Sequence, residues 1–291
     1  PENRADWDCA TDAAIKAHKT TGRPITVVAS LPELLPPDVT QTLIDGGVVP
    51  MHGLREAIIA AAATTEITSP ETTPLALAPA EPSKRPQLLT EHEAKTALAA
   101  HGLDTPRSVS VTDTGTLTEA AKSLTPPLVL KGQGIAHKTE AGAVKLHLSA
   151  ADLPAAAADM PTDRFLIEEM INDGLAELLV GITRDPAHGF VLTIAAGGTL
   201  TEVLSDSVSL LIPASHETIR DALSSLKIAP LLTGYRGAPP ANITAILQAI
   251  DALQAYVLAN LDSLQEAEIN PLICTPTRAV AADALIRKDM S

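Results

Sequence analysis

The stretch from Thr64 to Gln87, "TTEITSPETTPLALAPAEPSKRPQ", constrains this chain more than any other. It is rich in Pro, Thr and Glu and follows no apolar period. Proline fixes φ and removes a backbone donor, so a segment this dense in it neither extends a helix nor enters the middle of a sheet. It is read as a linker over 64–87, with separate folded parts over 1–63 and 88–291.

Residues 23–63 alternate strand and helix signals. "PITVVAS" is a short β-branched run typical of a buried parallel strand. "PPDVTQTLIDGG" is a helix opened by proline and closed by glycine, and "VVP" followed by "LREAIIAAAA" repeats the pattern. This order fits the last units of a doubly wound α/β domain. Such a sheet needs more strands, and Pro1 in place of an initiating methionine agrees with a chain that is a piece of something longer. The open sheet edge is expected to need a partner, hence an oligomer.

The second part opens on "LLTEHEAKTALAAHG", with a capping box at Thr90 and Glu93 and Gly102 as terminator. Strands are expected at "RSVSV", "LVLK", "AVKLHL", "RFLIEEM", "AELLVGITRD", "GFVLTIA" and "TEVL". In "AVKLHL", Val144, Leu146 and Leu148 alternate with Lys145 and His147, the period of a half-exposed strand. Helices are expected at "LTEAAKSL", "SHETIRDALSSL" and 243–261, and "AEINPLIC" and "AVAADALI" close the chain. Tight turns such as "DPAHG" favour antiparallel pairing. Two α+β lobes joined by a short connection near 168–172 fit this order.

Charge and composition exclude several partners. With 35 acidic against 21 basic residues, the net charge of −14 repels a polyanion. Aromatic residues at 2% leave few stacking platforms for single-stranded nucleic acid. An anionic ligand must therefore be held by a local pocket, and a small nucleotide carrying a metal ion suits this best. Cys9 and Cys274 show no zinc or disulfide spacing. No apolar run approaches membrane-spanning length and "PENRADWDCATD" is too polar for a signal peptide, so a cytoplasmic location without membrane contact is expected.

"LVLKGQGIAHKTEAGAVKLHL", residues 128–148, puts Lys131 at the end of an apolar run and adjacent His137 and Lys138 in the loop that follows. Phosphate is the obvious guest for a cation beside flexible backbone. A P-loop fails, because His137 stands where the second glycine should be and a strand, not a helix, follows. A dinucleotide fingerprint lacks its third glycine. A solvated hairpin stays open as the plain alternative.

"EAEINPL" places Glu266, Glu268 and Asn270 on one face of a strand. Asp283 lies in "VAADALI", an apolar strand where an unpaired carboxylate is costly. Adjacent strands can present Asn270 and Asp283 together, and magnesium takes a few hard oxygen ligands plus substrate phosphates. Glu202 faces metal or solvent. Gly197 and Gly198 either let backbone approach a ligand or form a tight turn. Arg184 and Arg236 are anion contacts or salt-bridge partners. His147 reads as structural and His188 as solvated.

"LTEHEAK", "LVLKGQGIAHKTEAGAVKL", "LIEEM", "ELLVGITRDPAHG", "AAGGTLTEVLSD", "LLTGYRGAPP" and "EINPL" together resemble, in order and spacing, the ATP-grasp domain of ADP-forming acyl-CoA synthetases of the acetate–CoA ligase and succinyl-CoA synthetase type. The resemblance covers Leu88 to about Ile286. Residues 22–63 resemble more weakly the end of the flavodoxin-like CoA-ligase domain. The implied fold is an α/β chain, a two-lobed α+β ATP-grasp domain after a partial flavodoxin-like segment.

The resemblance also implies roles. Lys131 and Lys138 would meet nucleotide phosphates, Glu168 and Glu169 adenine and ribose, and Glu177 another part of the nucleotide. Asn270 and Asp283 would be magnesium ligands, and His137 would accept a phosphoryl group. Neutral imidazole is a good nucleophile near pH 7, which suits that role. The implied activity is an acid–thiol ligase using ATP and Mg2+. Its carboxylic acid and CoA would bind on missing N-terminal domains or a partner subunit. Thr139, Glu140 and Ala143 depart from the family pattern. Ala143 leaves room for a nucleotide-binding regulatory module without catalysis, and an ATP-grasp carboxylate–amine ligase is a third reading.

Overall fold

The computed structural model describes residues 4–31, 34–65, 76, 86–135, 141–198 and 206–289. They belong to two compact units, Pro1–Thr72 and Thr73–Ser291. Among the described residues no helix is long and apolar enough to cross a membrane.

The first unit comprises α1 (Arg4–Thr21), β1 (Thr26–Ala29), α2 (Pro37–Asp45), β2 (Val49–His52) and α3 (Leu54–Thr65). β1 and β2 pair in parallel, Thr26 opposite Val49, with α2 as the crossover. Pro37 pre-sets the backbone of α2, whose Val39 and Leu43, four apart, are buried. The helix stops at Gly46–Gly47. There α1 packs so closely that a Cβ at Gly46 would lie 2.5 Å from Ile15 Cγ1. No strand or helix was expected at α1, which buries Thr11 and half-buries Ala14, Ile15, Ala17 and His18. The expectation of a buried β1 is also corrected. Val27 and Ala29 turn inward while Thr26 and Val28 face out, Val28 at 39% exposure. A two-stranded sheet packed on one face leaves alternate side chains in solvent.

The described residues of the second unit form two sheets. The smaller has the order β4 (Ser108–Val111), β7 (Phe165–Glu169), β5 (Leu128–Gly132), β6 (Val144–Leu148). With α5 (Leu117–Ala120) and α6 (Leu153–Ala158) it encloses a core around Leu128, Leu130, Phe165 and Ile167. The larger runs β10 (Ser207–Leu211), β9 (Gly189–Ala196), β8 (Ala176–Asp185), β11 (Leu264–Cys274), β13 (Ala284–Lys288), β3 (Gln87–Leu88), with β12 (Ala279–Ala281) also paired to β11. Its core is shared with α4 (Glu91–Ala99), α7 (His216–Ser225), α8 (Ala229–Thr233) and α9 (Ile243–Leu258). The antiparallel hairpin at "DPAHG" is present, Asp185 opposite Gly189. "TEVL" lies outside the described residues.

Ala76, inside the segment read as a linker, is buried. It donates to the Ile212 carbonyl at 2.8 Å and accepts from the Phe190 N–H at 3.0 Å. The strict alternation expected of β6 is broken. Leu128 pairs with Leu148 but Leu130 with Lys145, so β6 carries an extra residue as a bulge, and His147 takes φ +58°. His147 therefore does not share the face of Lys145 as a regular strand would require.

Candidate functional site

Residues 170–175 connect β7 of the small sheet to β8 of the large one, near the connection expected at 168–172. Beside them lies a cavity of about 340 Å³ whose walls include His147, Met170, Ile171, Asn172, Glu177 and Ile273. Its size lies at the lower end of small-molecule pockets, enough for a nucleoside. The bulge in β6 aims His147 into this wall. A non-glycine residue in the left-handed region is strained, and such strain recurs at functional sites.

A buried ionic cluster bridges the two lobes. Lys131, on β5, meets Glu91 at 2.7 Å, Glu168 at 2.8 Å and the Ala282 carbonyl at 2.6 Å. Lys95, one turn along α4 from Glu91, meets Glu91 at 2.8 Å, Glu168 at 2.7 Å and the same Ala282 carbonyl. All four charged residues are buried, Glu168 at 2% exposure. Burial disfavours the Lys131 ammonium, but Glu168, Glu91 and Asp283 outweigh it and hold its pKa above the ordinary lysine value. Lys95, buried and beside the Lys131 charge, is pushed below it. Two ammonium groups and two carboxylates leave the cluster neutral.

On β11 the inward residues Ala267 and Ile269 are fully buried, while Glu266, Glu268 and Asn270 share the half-exposed face. Asp283 lies in the break between β12 and β13 rather than within a strand, and its carbonyl accepts the Asn270 N–H at 3.1 Å. The two strands thus bring Asn270 and Asp283 together at the backbone. Burial first, then the charges of Glu266 and Asp283, pushes the Glu268 carboxyl upward, against a hydrogen bond with Asn270. Among the described residues no three His, Cys, Asp or Glu side chains are grouped to hold a metal by themselves.

The other expected residues are dispersed. Glu169, beside Glu168 on β7, binds Arg107 at 3.1 Å and the Thr125 N–H at 2.9 Å. Gly197 and Gly198 close on Glu177: the Gly197 N–H donates to its carbonyl at 2.8 Å, and a Cβ at Gly198 would lie 2.3 Å from its Oε2. Arg236 is exposed, its guanidinium 5.2 Å from the Tyr235 ring centroid. The Ala143 methyl is buried, and a Cβ at Gly132 would meet it at 3.2 Å. His188 is exposed and bound to Asp185 at 2.8 Å. His137, Lys138 and Glu202 lie outside the described residues.

Sequence reasoning missed Glu91, Lys95 and His147. A signal for the first two exists. The buried stripe of α4 is Glu91, Ala94, Lys95 and Leu98, so helical period puts two charges on the core face. His147 left none, because a bulge is set by pairing across strands.

The ATP-grasp domain family matches residues 81–287. The chain is 31% identical over 204 residues to 4-hydroxybutyrate–CoA ligase [ADP-forming] of Nitrosopumilus maritimus, covering 65% of this chain and 29% of that one. It is 27% identical over 198 residues to acetate–CoA ligase [ADP-forming] II subunit beta of Pyrococcus furiosus, covering 63% and 84%. It also resembles a solved structure of Ca. Korarchaeum cryptofilum dinucleotide forming acetyl-coenzyme A synthetase 1 with coenzyme A and Mg-AMPPCP, whose phosphohistidine segment points towards the nucleotide binding site. That match has 27% identity and a TM-score of 0.62 and covers 69% of this chain and 93% of that one. The chain therefore spans less than a third of the Nitrosopumilus ligase but most of the Pyrococcus subunit.

Proposed function

The chain belongs to the ATP-grasp domain family, and on that premise we propose that it is the nucleotide-binding portion of an ADP-forming acyl-CoA synthetase. The observation that carries the reading is the course of β11. Ile273 of this strand lines the cavity and Asn270, three residues earlier, stands beside Asp283. Three strand residues span about 10 Å, which suits a nucleoside in the cavity with its phosphates directed toward the oxygen donors.

Glu268, Asn270 and Asp283 fit magnesium, which takes few protein oxygens and completes its shell with phosphate and water. Burial first, and then the charges of Glu266 and Asp283, push the Glu268 carboxyl upward, and a cation would relieve the repulsion among these carboxylates. When bound, magnesium would offset charge on the phosphoryl oxygens, as would Lys131 and Lys138. Glu202 is a further metal candidate, and Glu177, Glu169, Gly197, Gly198 and Arg236 remain candidate nucleotide contacts. Glu168 acts through its grip on Lys131.

His137 is the phosphoryl carrier in this reading. A neutral ring nitrogen attacks the γ-phosphorus, an N–P bond forms, the bond to the bridging oxygen breaks and ADP leaves. The phosphoryl group then passes to a carboxylic acid, and CoA displaces phosphate from the acyl phosphate to give the thioester. The acid and CoA sites are assigned to other domains or a partner subunit, an arrangement supported by the beta-subunit relative.

The test is incubation of the chain with Mg2+ and γ-labelled ATP. Acid-labile, alkali-stable label that is lost in His137→Gln is expected. Label surviving that substitution removes the carrier role, and nucleotide binding without label favours a regulatory module. Absence of nucleotide binding overturns the whole reading.

A further inference from the structure

Lys131 donates to Glu91 Oε1 at 2.7 Å and to the Ala282 carbonyl at 2.6 Å and pairs with Glu168 Oε2 at 2.8 Å, so among the described residues three oxygens crowd its ammonium. A phosphate oxygen approaching Lys131 competes with these oxygens for the ammonium. If the ammonium is drawn away without compensation, two buried carboxylates lose a cation, which is strongly unfavourable. Lys95 bonds the same two carboxylates and the same carbonyl. It is held from α4, and α4 belongs to the core of the large lobe.

We propose that Lys95 is a positioning residue acting through Lys131: it is the resident counter-ion that lets Lys131 exchange its carboxylates for nucleotide phosphate. The proposal rests on the nucleotide reading above. With Lys95 in place, departure of Lys131 leaves one net negative charge; without it, departure would leave two. Glu91 works in the opposite sense, as one of the groups that retain Lys131.

The two residues therefore predict opposite effects on one measurement. Titration of the full chain with Mg-ATP is expected to give a Kd about tenfold higher for Lys95→Met, because Lys131 then neutralises both carboxylates without its neighbouring ammonium. Glu91→Gln is expected to lower the Kd several-fold, because one retaining charge is gone. Lys95→Arg keeps the charge and should recover most of the loss, though its planar fork cannot match every contact. Both neutralising substitutions remove buried partners and should lower Tm together, so opposite Kd shifts are a signature that a merely structural role does not produce. If Lys95→Met does not fold, Lys95→Gln carries the same comparison. Kd shifts of one sign, or none, in a wild-type background that binds Mg-ATP overturn the exchange alone. A wild type that does not bind Mg-ATP overturns the nucleotide reading and the exchange with it.

Discussion

Glu168→Gln tests whether the interlobe cluster behaves as one unit. The substitution keeps the shape of the side chain and removes one charge. Lys95 at 2.7 Å and Lys131 at 2.8 Å then share the single carboxylate of Glu91. These side chains are at most 8% exposed, so solvent screening offers little relief. Breaking a buried pair by removing one partner costs about 3–5 kcal/mol. For a unit of this size each 1 kcal/mol lowers Tm by about 2–4 °C, giving a fall of roughly 10 °C. Lys131→Met is expected to cost about as much, for the opposite reason, since two carboxylates then share Lys95. The double variant restores balance: Lys95 and Glu91, 2.8 Å apart, remain as a neutral pair with an apolar neighbour. Its cost should fall short of the sum of the singles by about 3 kcal/mol, the upper end of coupling for residues in contact. Urea titrations followed by circular dichroism measure all four proteins. A double variant whose loss equals the sum of the singles would refute the claim that the four charges act as one unit.

Three further outcomes follow from local geometry. Burial, and secondarily Glu177, pushes the Cys274 thiol up to about 12, whereas Cys9 is exposed. One thiol should react with a disulfide reagent in the native protein and a second only after unfolding, and fast labelling of both contradicts this. The Thr90–Glu93 capping box holds the Glu93 carboxyl below its ordinary 4.5. Its contribution is therefore present above about pH 4.5 and lost as pH falls through the lower folded value. Glu93→Ala, at an exposed site, should cost about 0.5 kcal/mol at pH 7, and the difference from wild type in thermal unfolding should close toward pH 3. Gly197→Ala places a methyl 2.8 Å from the Leu178 carbonyl carbon. It should push β9 from β8 and cost about 2 kcal/mol in chemical denaturation, and an unchanged midpoint would show that the approach relaxes freely.

Much of the second unit is legible in the sequence because its cues are local. The capping box at Thr90, the "DPAHG" hairpin and the alternation through Glu266, Glu268 and Asn270 each depend on residues a few positions apart. The apposition of Asn270 and Asp283 also follows once the last strands are taken as neighbours. The cluster resisted reading because its members are brought together by tertiary packing: Glu91 and Lys95 come from α4, Lys131 from β5, Glu168 from β7 and the Ala282 carbonyl from the turn before β13. The helical period of α4 announces two inward charges without saying what they meet. The bulge at His147 is fixed by a mismatch in length between paired strands, which no single strand records. In the first unit, α1 shows no apolar stripe in the sequence because its inward face mixes Thr11 and His18 with Ala14, Ile15 and Ala17.

The Ala282 carbonyl joins the two lysines, and it belongs to the main chain. No side-chain replacement can delete it, so mutation can tune this junction only from the ammonium end. The same peptide unit continues directly into Asp283. Any displacement of Lys131 therefore tugs on the residue next in line, and cation movement on one side of the cleft becomes mechanically wired to the oxygen donors on the other.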